Sequence, residues 1–311
     1  MHILVCGSLA FDRIMPFPGR FSDHILPDKI HILNVCFLVN GVDEKFGGTA
    51  GNIAYNLALL GEKPLIVGCA GKDFGPYETW LQDLGLPLAG IRRIPEEHTA
   101  GAYITTDLSD NQITGFNPGA MRHPAQFDVS GFPAGDTLAI ISPGNVSDMI
   151  EYPRVFRKLG IRYIFDPGQQ ITALSGPDML EAITGSYMLV TNDYELEMVM
   201  KATGQTRDQL KARTSVLVTT LGEQGSVLAQ DGTEVRVPAA RVPQALDPTG
   251  AGDAYRAGLI RGLALGRSLA EAARLGAVCA AFAVEHRGTQ EHRFSEAEFA
   301  ARYTENFGSL A

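Results

Sequence analysis

The sequence predicts an α/β fold in which a mostly parallel sheet lies between two layers of helices and a small second β-sheet is attached. The first observation is a series of short apolar runs, such as Ile3–Cys6, Leu138–Ser142 and Val216–Thr219. The second is that segments with helical spacing alternate with these runs, as in parallel strands joined by helices. The third is that two regions, 11–46 and 99–122, interrupt the alternation.

The apolar runs are the predicted strands of the main sheet. In chain order they are Ile3–Cys6, Leu65–Cys69, Leu138–Ser142, Tyr163–Asp166, Met188–Thr191 and Val216–Thr219. The predicted helices are Ala50–Leu60, Tyr77–Leu84, Ser147–Lys158, Asp193–Ala202, Arg207–Arg213, Gly250–Leu265 and Leu269–Val284. The last two helices are rich in alanine and glycine, which predicts that they pack closely against each other.

Short runs with β character also occur within the two interrupting regions, at Leu33–Val39, Gly101–Thr106 and Gln112–Phe116. Turn residues, such as those of Asp107–Asn111, separate the runs. We expect the two regions to be insertions that meet in space as a small β-lid, although ordinary surface loops would have a similar pattern. Because no linker or repeat divides the chain, we predict one domain over residues 1–311 that carries this lid.

Composition argues against several classes of protein. The formal net charge of -9 over 311 residues disfavours a general nucleic-acid binder, which usually has a basic face. No apolar run reaches the roughly 18–20 residues that span a bilayer, so we expect no membrane insertion. The start, Met1–Gly7, is typical of a first strand rather than a signal peptide. Four scattered cysteines without a C-x-x-C pair fit free thiols and a cytoplasmic location.

One glycine-rich segment, Asp247-Pro248-Thr249-Gly250-Ala251-Gly252-Asp253, directly precedes a predicted helix. Its glycines permit a tight turn that presents N–H groups at a helix N-terminus, where a transferring phosphoryl group would be stabilised. Asp253 falls in the first helical turn and could accept a hydroxyl proton. We expect the helix dipole to lower the pKa of Asp253. Spacing alone leaves an acidic helix cap as a serious alternative.

The segment resembles the D-x-T-G-A-G-D signature of the ribokinase-like (PfkB-type) family of carbohydrate and nucleoside kinases. Two other segments are similar to motifs of that family, in the same order: Gly47-Gly48-Thr49-Ala50-Gly51-Asn52 and Asn192-Asp193-Tyr194-Glu195. The resemblance covers almost the whole chain. It implies a three-layer α/β/α ribokinase-like fold and an ATP-dependent kinase. In such an enzyme Asp253 would be the catalytic base, and the amides of Gly250, Ala251 and Gly252 would stabilise the phosphoryl group.

The resemblance also implies where the acceptor binds. Gly47, Gly48 and Asn52 match the motif that holds the sugar, and Asp12 matches an early aspartate that accepts hydrogen bonds from sugar hydroxyls. The residue types suit this role, because glycine lets a ligand approach the backbone and an amide both donates and accepts. A turn aspartate and a plain helix-start asparagine remain the alternatives for Asp12 and Asn52.

The nucleotide side is predicted from two further segments. Asn192 and Glu195 could form an ordinary capping box, but in the family they organise Mg²⁺ and its waters around the phosphates. The run Thr219–Gly225 resembles the T-x-G-x-x-G nucleotide loop, so Asn192, Thr220, Gly222 and Gly225 are expected to line the ATP site together with Gly250 and Gly252. Backbone carbonyls near Asp247 and Arg287–Thr289 would hold a monovalent cation, which makes activation by K⁺ a hypothesis.

The acceptor is the least determined part. The run Thr106–Met121, together with Asn34–Phe37, looks like the adenosine and nucleoside kinase branch of the family. The nucleobase of such an acceptor needs an apolar surface that stacks on its face and amide groups that hydrogen-bond to its edge. We predict stacking from Phe116, Phe37 and Met121 and edge contacts from Asn111, Gln112 and Gln169, with lid core or turn structure as the alternative for each. A sugar phosphate would need a cluster of lid arginines and lysines, and none is evident.

The resulting prediction is a kinase that transfers the γ-phosphoryl group of ATP to the 5′-hydroxyl of a nucleoside, most favourably adenosine, with Asp253 as base. The alternatives are a ribose- or fructose-type sugar kinase of the same family and a non-catalytic nucleoside-binding regulator. Retention of Asp253 and both glycines disfavours the regulator. Lid strands can pair within or between subunits, so the sequence is compatible with a monomer or a homodimer.

Overall fold

The computed structural model describes residues 1–309 and confirms the predicted architecture. The main sheet has nine strands in the order β13-β12-β11-β10-β9-β8-β1-β4-β5. Strands β1, β4, β5 and β8 to β11 are parallel, whereas β12 and β13 continue the sheet antiparallel at one edge. Their bounds are β1 His2–Cys6, β4 Leu65–Gly71, β5 Ile91–Ile94, β8 Thr137–Ile141, β9 Arg162–Phe165, β10 Met188–Asn192, β11 Val216–Thr220, β12 Ser226–Gln230 and β13 Thr233–Val237.

Helices cover both faces of this sheet, since the strands are apolar on both sides and would otherwise expose that surface. The α-helices are α1 Thr49–Leu59, α2 Gly75–Asp83, α3 Val146–Leu159, α4 Gly176–Ile183, α5 Asp193–Thr203, α6 Arg207–Lys211, α7 Ala251–Ala264, α8 Leu269–Val284 and α9 Glu296–Phe307. One core cluster joins the sheet to α1, α2, α7 and α8, and another joins it to α3, α4, α5 and α6. Among residues 1–309, no helix has the length and apolar character to cross a bilayer.

The second sheet has four strands in the order β3-β2-β6-β7. They are β2 Ala10–Pro16, β3 Asp43–Gly47, β6 Ala100–Thr106 and β7 Gln112–Asn117. The pair β2–β6 is parallel, and the two outer pairs are antiparallel. The two interrupting regions of the sequence therefore meet in space as expected. Strand β2 follows shortly after the end of β1, and β3 ends just before the start of α1.

The predicted β run at Leu33–Val39 is wrong. Residues 27–32 form a 3₁₀ helix and residues 34–40 have no regular structure. Phe37 packs against Phe17 and Phe21, with ring centroids 4.8 and 5.0 Å away, whereas Leu38 is 84% exposed. Phe37 thus joins a local aromatic cluster with Phe17 and Phe21, and the β propensity of the run does not lead to strand pairing.

Helices α7 and α8 are in close contact, as their alanine and glycine content predicts. A Cβ atom on Gly258 would lie 2.5 Å from the carbonyl oxygen of Leu275, and one on Gly276 would lie 2.7 Å from the carbonyl oxygen of Tyr255. These distances are too short for any side chain, so the two backbones touch. The contact sets the position of α7, whose N-terminus faces the carboxyl ends of the parallel strands.

Candidate active site

The glycine-rich segment forms the turn that starts α7. Gly250 is the N-cap residue with φ of 79°, a left-handed conformation that favours glycine. A Cβ atom there would also lie 2.9 Å from Cγ2 of Thr289. The N–H of Ala251 donates to the carbonyl of Pro248 (3.1 Å). Among residues 1–309 the N–H groups of Gly250 and Gly252 have no such partner, so they are the amides of the predicted trio that can receive an anion.

Asp253 lies in the first turn of α7 and contacts the predicted acceptor motif at the start of α1. Its Oδ2 accepts a hydrogen bond from Nδ2 of Asn52 (2.8 Å). Asn52 is 4% exposed, whereas Asp253 is half-buried. Two motifs separated by 201 residues therefore meet at one hydrogen bond. In this structure the Asn52 amide is directed at the predicted base.

The expected lowering of the Asp253 pKa is wrong. Burial raises the pKa of Asp253 to about 6, with further upward contributions from Glu195 and Asp12. Arg256 and the Asn52 amide act in the opposite direction but do not compensate. Withdrawal of the carboxylate from water thus outweighs the helix N-terminus. A base with a pKa near neutrality is better suited to take a proton than one with a depressed pKa.

Arg256 is a residue that the motifs did not reveal. The residue is 7% exposed. Its guanidinium forms an ion pair with the buried Asp166, in which Nη2 donates to Oδ1 (2.7 Å) and Nε lies 2.5 Å from Oδ2. Nη2 is also 4.0 Å from Oε2 of Glu195. Although burial alone would lower it, the pKa of Arg256 is raised by Asp166, Asp253 and Glu195, so the side chain remains a cation.

A signal for Arg256 was present in the sequence. It is the single charged residue of the run Ala254–Ile260, which is otherwise typical of a buried helix. A charge in such a run is rarely buried without a partner. Its distance of three residues from Asp253 places both on the same face of α7. Gly252 also reflects this neighbour, since a Cβ atom there would lie 2.6 Å from Nη1 of Arg256.

The predicted sugar-binding residues are close together. Gly48 caps α1 with φ of 85°, where a Cβ atom would meet the backbone of Ser8 and Ala10 at 2.6 Å. A Cβ atom on Gly47 would lie 2.6 Å from Oδ2 of Asp12, so the carboxylate covers this glycine. Burial, and then Asp247, raise the pKa of Asp12.

The predicted nucleotide residues lie at the carboxyl ends of neighbouring strands. Asn192 ends β10 and is the register partner of Thr220, which ends β11. Gly222 and Gly225 follow in a turn with φ of 56° and 85°. At Gly225 a Cβ atom would collide with the carbonyl oxygen of Val237, so only glycine fits.

Asn192 and Glu195 form a complete capping box at the start of α5. The N–H of Glu195 donates to Oδ1 of Asn192 (2.7 Å), and the N–H of Asn192 donates to Oε2 of Glu195 (2.7 Å). One carboxylate and one amide that already carry backbone hydrogen bonds suit a hard cation that keeps most of its water. The pair therefore fits the predicted Mg²⁺, held through water. Within residues 1–309, no group of three or more His, Cys, Asp and Glu side chains could hold a metal ion directly.

Asp247 connects the two loops near the predicted monovalent cation. Its carboxylate accepts from the N–H of Thr249 (2.9 Å) and from the N–H of Gly288 (3.0 Å). Although burial alone would raise it, these hydrogen bonds lower the pKa of Asp247. The side chain is thus occupied by structural contacts, and any cation bound here would rely on carbonyl oxygens.

The predicted base-contacting residues are more dispersed. Phe116 is the register partner of Ala102, which is the partner of Asp12, so the phenyl ring shares a face of the second sheet with the Asp12 carboxylate. Gln112 lies on that face but at the far end of β7. The Asn111 side chain donates to Asp107 (3.1 and 3.2 Å), which stabilises the hairpin turn.

The remaining candidates have different surroundings. Gln169 is exposed in the 3₁₀ turn after β9, three residues beyond Asp166. Met121 lines a small cavity near the ends of β1, β4 and β8. Phe37 belongs to the aromatic cluster described above. Phe116 is therefore the predicted stacking residue that the sheet register brings to the face of Asp12.

Comparison with known proteins identifies the family to which the chain belongs. Residues 22–296 match the model of the pfkB family carbohydrate kinases. A nucleoside kinase of Methanocaldococcus jannaschii is 30% identical over 260 residues, which cover 83% of this chain and 85% of that protein. The structure of Burkholderia thailandensis nucleoside kinase in complex with inosine is 36% identical, with a TM-score of 0.88 and coverage of 99% of this chain and 100% of that one.

A more distant match supports the fold alone. Arabidopsis thaliana ribokinase, complexed with ribose and ATP, superposes with a TM-score of 0.78 at 20% identity and covers 97% of this chain and 98% of that one. The family model spans most of the chain and includes Asn52, Asn192 and Asp253. The chain therefore belongs to the pfkB family of carbohydrate kinases, and it is a phosphotransferase whose acceptor is an alcohol group.

Proposed function

We propose that the enzyme transfers the γ-phosphoryl group of ATP to the 5′-hydroxyl of a nucleoside, with adenosine as the first candidate. The observation that carries this proposal is the Asn52–Asp253 hydrogen bond beside the free amides of Gly250 and Gly252. The hydrogen bond brings Asn52, from the predicted acceptor motif, to Asp253, the proposed proton acceptor. Asp253 lies at a helix start whose free amides can bind an anion. A phosphotransferase acting on an alcohol needs both at one place.

In the proposed reaction the acceptor hydroxyl lies between Asp12, Asn52 and Asp253. Its oxygen forms the new bond to the γ-phosphorus while the bond from that phosphorus to the bridging oxygen of ADP breaks. The hydroxyl proton moves to Asp253. The N–H groups of Gly250 and Gly252 stabilise the charge on the transferring group, while the guanidinium of Arg256 balances the carboxylates around it. Mg²⁺, held through water by Asn192 and Glu195, would neutralise part of the phosphate charge.

Charge pairing in the second sheet favours a nucleoside over a sugar phosphate. Arg13 forms ion pairs with Glu44 (2.8 Å) and Asp73 (3.3 Å). Lys45 pairs with Asp43 (3.5 Å) and Glu291 (3.4 Å). These cations already have acidic partners, so binding a second phosphate would require breaking those pairs. The two nucleoside kinases compared above support the same choice, and the inosine complex makes inosine the first competitor of adenosine.

The second sheet is proposed to close over the acceptor as a lid. Closure would exclude water, which otherwise competes with the hydroxyl for the phosphoryl group. Shortening the hairpin between β6 and β7 should then increase ATP hydrolysis in the absence of acceptor. Unchanged hydrolysis, with transfer to the acceptor intact, would contradict this role.

Activation by K⁺ is a separate proposal, based on the two loops that Asp247 joins. Turnover should be higher in K⁺ than in a large organic cation at the same ionic strength. Equal rates in both salts would overturn it.

The function itself is tested by measuring ADP release with Mg-ATP over a panel of adenosine, inosine, cytidine, ribose and fructose. A nucleoside should have the highest kcat/KM. A preference for ribose or fructose would instead support the sugar kinase alternative. Nucleoside binding without any ADP release would support the non-catalytic regulator.

A further inference from the structure

A chain of buried hydrogen bonds extends behind the Asn52–Asp253 contact. Nε2 of Gln290 donates to Oδ1 of Asn52 (3.1 Å) and to the hydroxyl of Tyr77 (2.6 Å). Oε1 of Gln290 accepts from the indole Nε1 of Trp80 (2.9 Å). Gln290 is 3% exposed and Tyr77 is fully buried, so water cannot replace these partners. None of the family-like motifs in the sequence includes Trp80, Tyr77 or Gln290.

Trp80, the first member of this series of hydrogen bonds, determines the direction of the bonds that run through Gln290 and Asn52 to Asp253. An indole N–H can only donate, so Gln290 must present its carbonyl oxygen to Trp80. The NH₂ of Gln290 is thereby directed toward Asn52, which must present Oδ1 in return. The NH₂ of Asn52 then faces Asp253. At the other branch the Tyr77 hydroxyl donates to the carbonyl of Gly47 (2.8 Å) and so accepts from Gln290.

The reverse orientation of Asn52 would have a chemical consequence. Its carbonyl oxygen would face Oδ2 of Asp253, and two acceptors at this distance repel unless a proton lies between them. The protonated form of Asp253 would be favoured. A protonated carboxyl cannot take the hydroxyl proton, so the orientation of one amide decides whether the group is available as a base.

We propose that Trp80 and Gln290 are positioning residues that hold the Asn52 amide in its donating orientation, which leaves Oδ1 of Asp253 as the atom that receives the proton. This inference rests on the proposed function, since it assigns a base only if the enzyme deprotonates an acceptor hydroxyl. Trp80 and Gln290 act through Asn52. They belong to α2 and to the segment after α8, which are far from Asp253 in sequence.

The first test is Gln290→Glu, which has nearly the same shape but cannot donate when ionised. The introduced carboxylate would still accept from Trp80, but Asn52 must rotate to donate to it and would turn its oxygen toward Asp253. We expect kcat to fall by about 10- to 100-fold, as for a misaligned reacting group. The acidic limb of the kcat profile should move to higher pH by about one unit. A limb at the wild-type pH would overturn the proposal.

Trp80→Phe provides a second variant that preserves the aromatic packing. The indole stacks on Phe46 and Tyr55, with ring centroids 5.6 and 5.9 Å away, and a phenyl ring retains most of that contact. Only the N–H that orients Gln290 is lost. We expect a smaller shift of the limb in the same direction and a loss in kcat of about 3- to 10-fold. A change in KM alone would contradict the positioning role.

The matched control is Tyr55→Phe. Tyr55 lies in the same aromatic cluster, and its hydroxyl donates to the carbonyl of His292, which is outside the chain of bonds to Asp253. This variant also loses one buried polar group. A structural effect alone would lower the melting temperature of all three variants similarly. Only Gln290→Glu and Trp80→Phe should shift the acidic limb.

The charged groups that face Asp253 stay the same in Trp80→Phe and Tyr55→Phe. They are Arg256 on α7, Glu195 on α5, Asp12 on β2 and Asp166 after β9. A shift of the limb in Trp80→Phe can therefore be attributed to the orientation of Asn52, without the added charge that Gln290→Glu introduces.

The proposed function can fail independently, if wild-type enzyme transfers no phosphoryl group to any nucleoside or sugar. The orientation of Asn52 can then still be tested by a ¹³C NMR titration of Asp253. Its pKa should be higher in Gln290→Glu and in Trp80→Phe than in wild type. Equal pKa values in wild type and Trp80→Phe would overturn the positioning role whatever the enzyme phosphorylates.

Discussion

The start of α7 and the second sheet would provide the two halves of the proposed site, and they are built differently. Around Asp253 the polar groups are buried and hydrogen-bonded to one another, and the helix is held by backbone contact with α8. On the second sheet Phe116 is 53% exposed and Ile113 is 45% exposed. The polar side chains of the hairpin turn bond to each other.

This difference suggests that the two regions have separate tasks: the start of α7 would carry out phosphoryl transfer, and the second sheet would determine which acceptor binds. Buried hydrogen bonds hold reacting groups in one geometry, which phosphoryl transfer requires. An exposed β-hairpin has few contacts that constrain it and can change position or sequence at little cost. Substitutions near Asp253 should therefore change kcat, pH dependence or stability, whereas those on the hairpin should change KM for the acceptor.

The largest effect is expected for Asp253→Asn. Removing the base should reduce kcat by about 10³- to 10⁴-fold, the upper range for general base catalysis. Nucleoside binding should persist, because Asp12, Gly47 and Asn52 are retained. Steady-state kinetics and calorimetric titration measure the two quantities. Turnover within about tenfold of wild type would refute the assigned base.

The second prediction is that Arg256→Met lowers the free energy of unfolding. It leaves Asp166, which is 1% exposed, without its guanidinium. Loss of one partner of a buried ion pair typically destabilises by about 3–5 kcal/mol. The control is Arg154→Met, since Arg154 pairs with Glu151 and Glu181 at the surface and should contribute less than about 1 kcal/mol. Equal losses in urea unfolding would contradict the structural contrast.

The pH dependence of stability should identify the unfavourable carboxylate. Asp253 has a higher pKa in the folded state, about 6, than its ordinary value of 3.8, so its contribution is fully present below pH 3.8 and is lost as pH rises through 6. Asp253→Asn should therefore be more stable than wild type at pH 8, by about 1–2 kcal/mol because the group is partly open to solvent.

The stability difference should vanish near pH 4, and thermal unfolding across this range measures it. Wild-type kcat should fall about tenfold per pH unit below pH 6, because protonated Asp253 cannot accept a proton. A stability difference that is the same at pH 4 and pH 8 would show that burial does not raise this pKa.

The smallest effect is expected on the second sheet. Phe116→Ala should raise KM for a nucleoside by about tenfold, the size of one lost stacking contact, and leave kcat unchanged. Ile113→Ala is the matched control, because Ile113 is on the same strand but on the opposite face. Stability should change by less than about 0.5 kcal/mol in each. Equal increases in KM for Phe116→Ala and Ile113→Ala would argue against stacking of the nucleobase on Phe116.

The fold could be predicted well because parallel strands and their helices have periodic apolar patterns. Helix α8 was predicted with its observed bounds, Leu269–Val284. The strand at Leu33–Val39 failed because β propensity does not say whether a pairing partner exists. Here Phe37 packs against Phe17 and Phe21, and the run remains outside both sheets.

Local backbone geometry in the candidate site was predictable where glycines and caps determine it, as at Gly250 and in the Asn192–Glu195 capping box. The buried groups behind Asp253 were harder to predict, because Asp166 and Gln290 reach the site from distant parts of the chain, through Arg256 and Asn52. The predicted direction of the Asp253 pKa shift was wrong because the burial of this carboxylate could not be inferred from its own segment. Burial depends on everything that packs around a group, whereas a helix dipole can be read locally.

The glycine contacts between α7 and α8 have a consequence for how such an enzyme can change. Because Gly258 and Gly276 allow backbones to touch, no larger residue can be accepted there without moving the reacting end of α7. Variation that altered the acceptor would therefore accumulate on the hairpin, which tolerates it. A library that randomises β7 and keeps both helices constant should yield new acceptors while preserving the phosphoryl-transfer machinery.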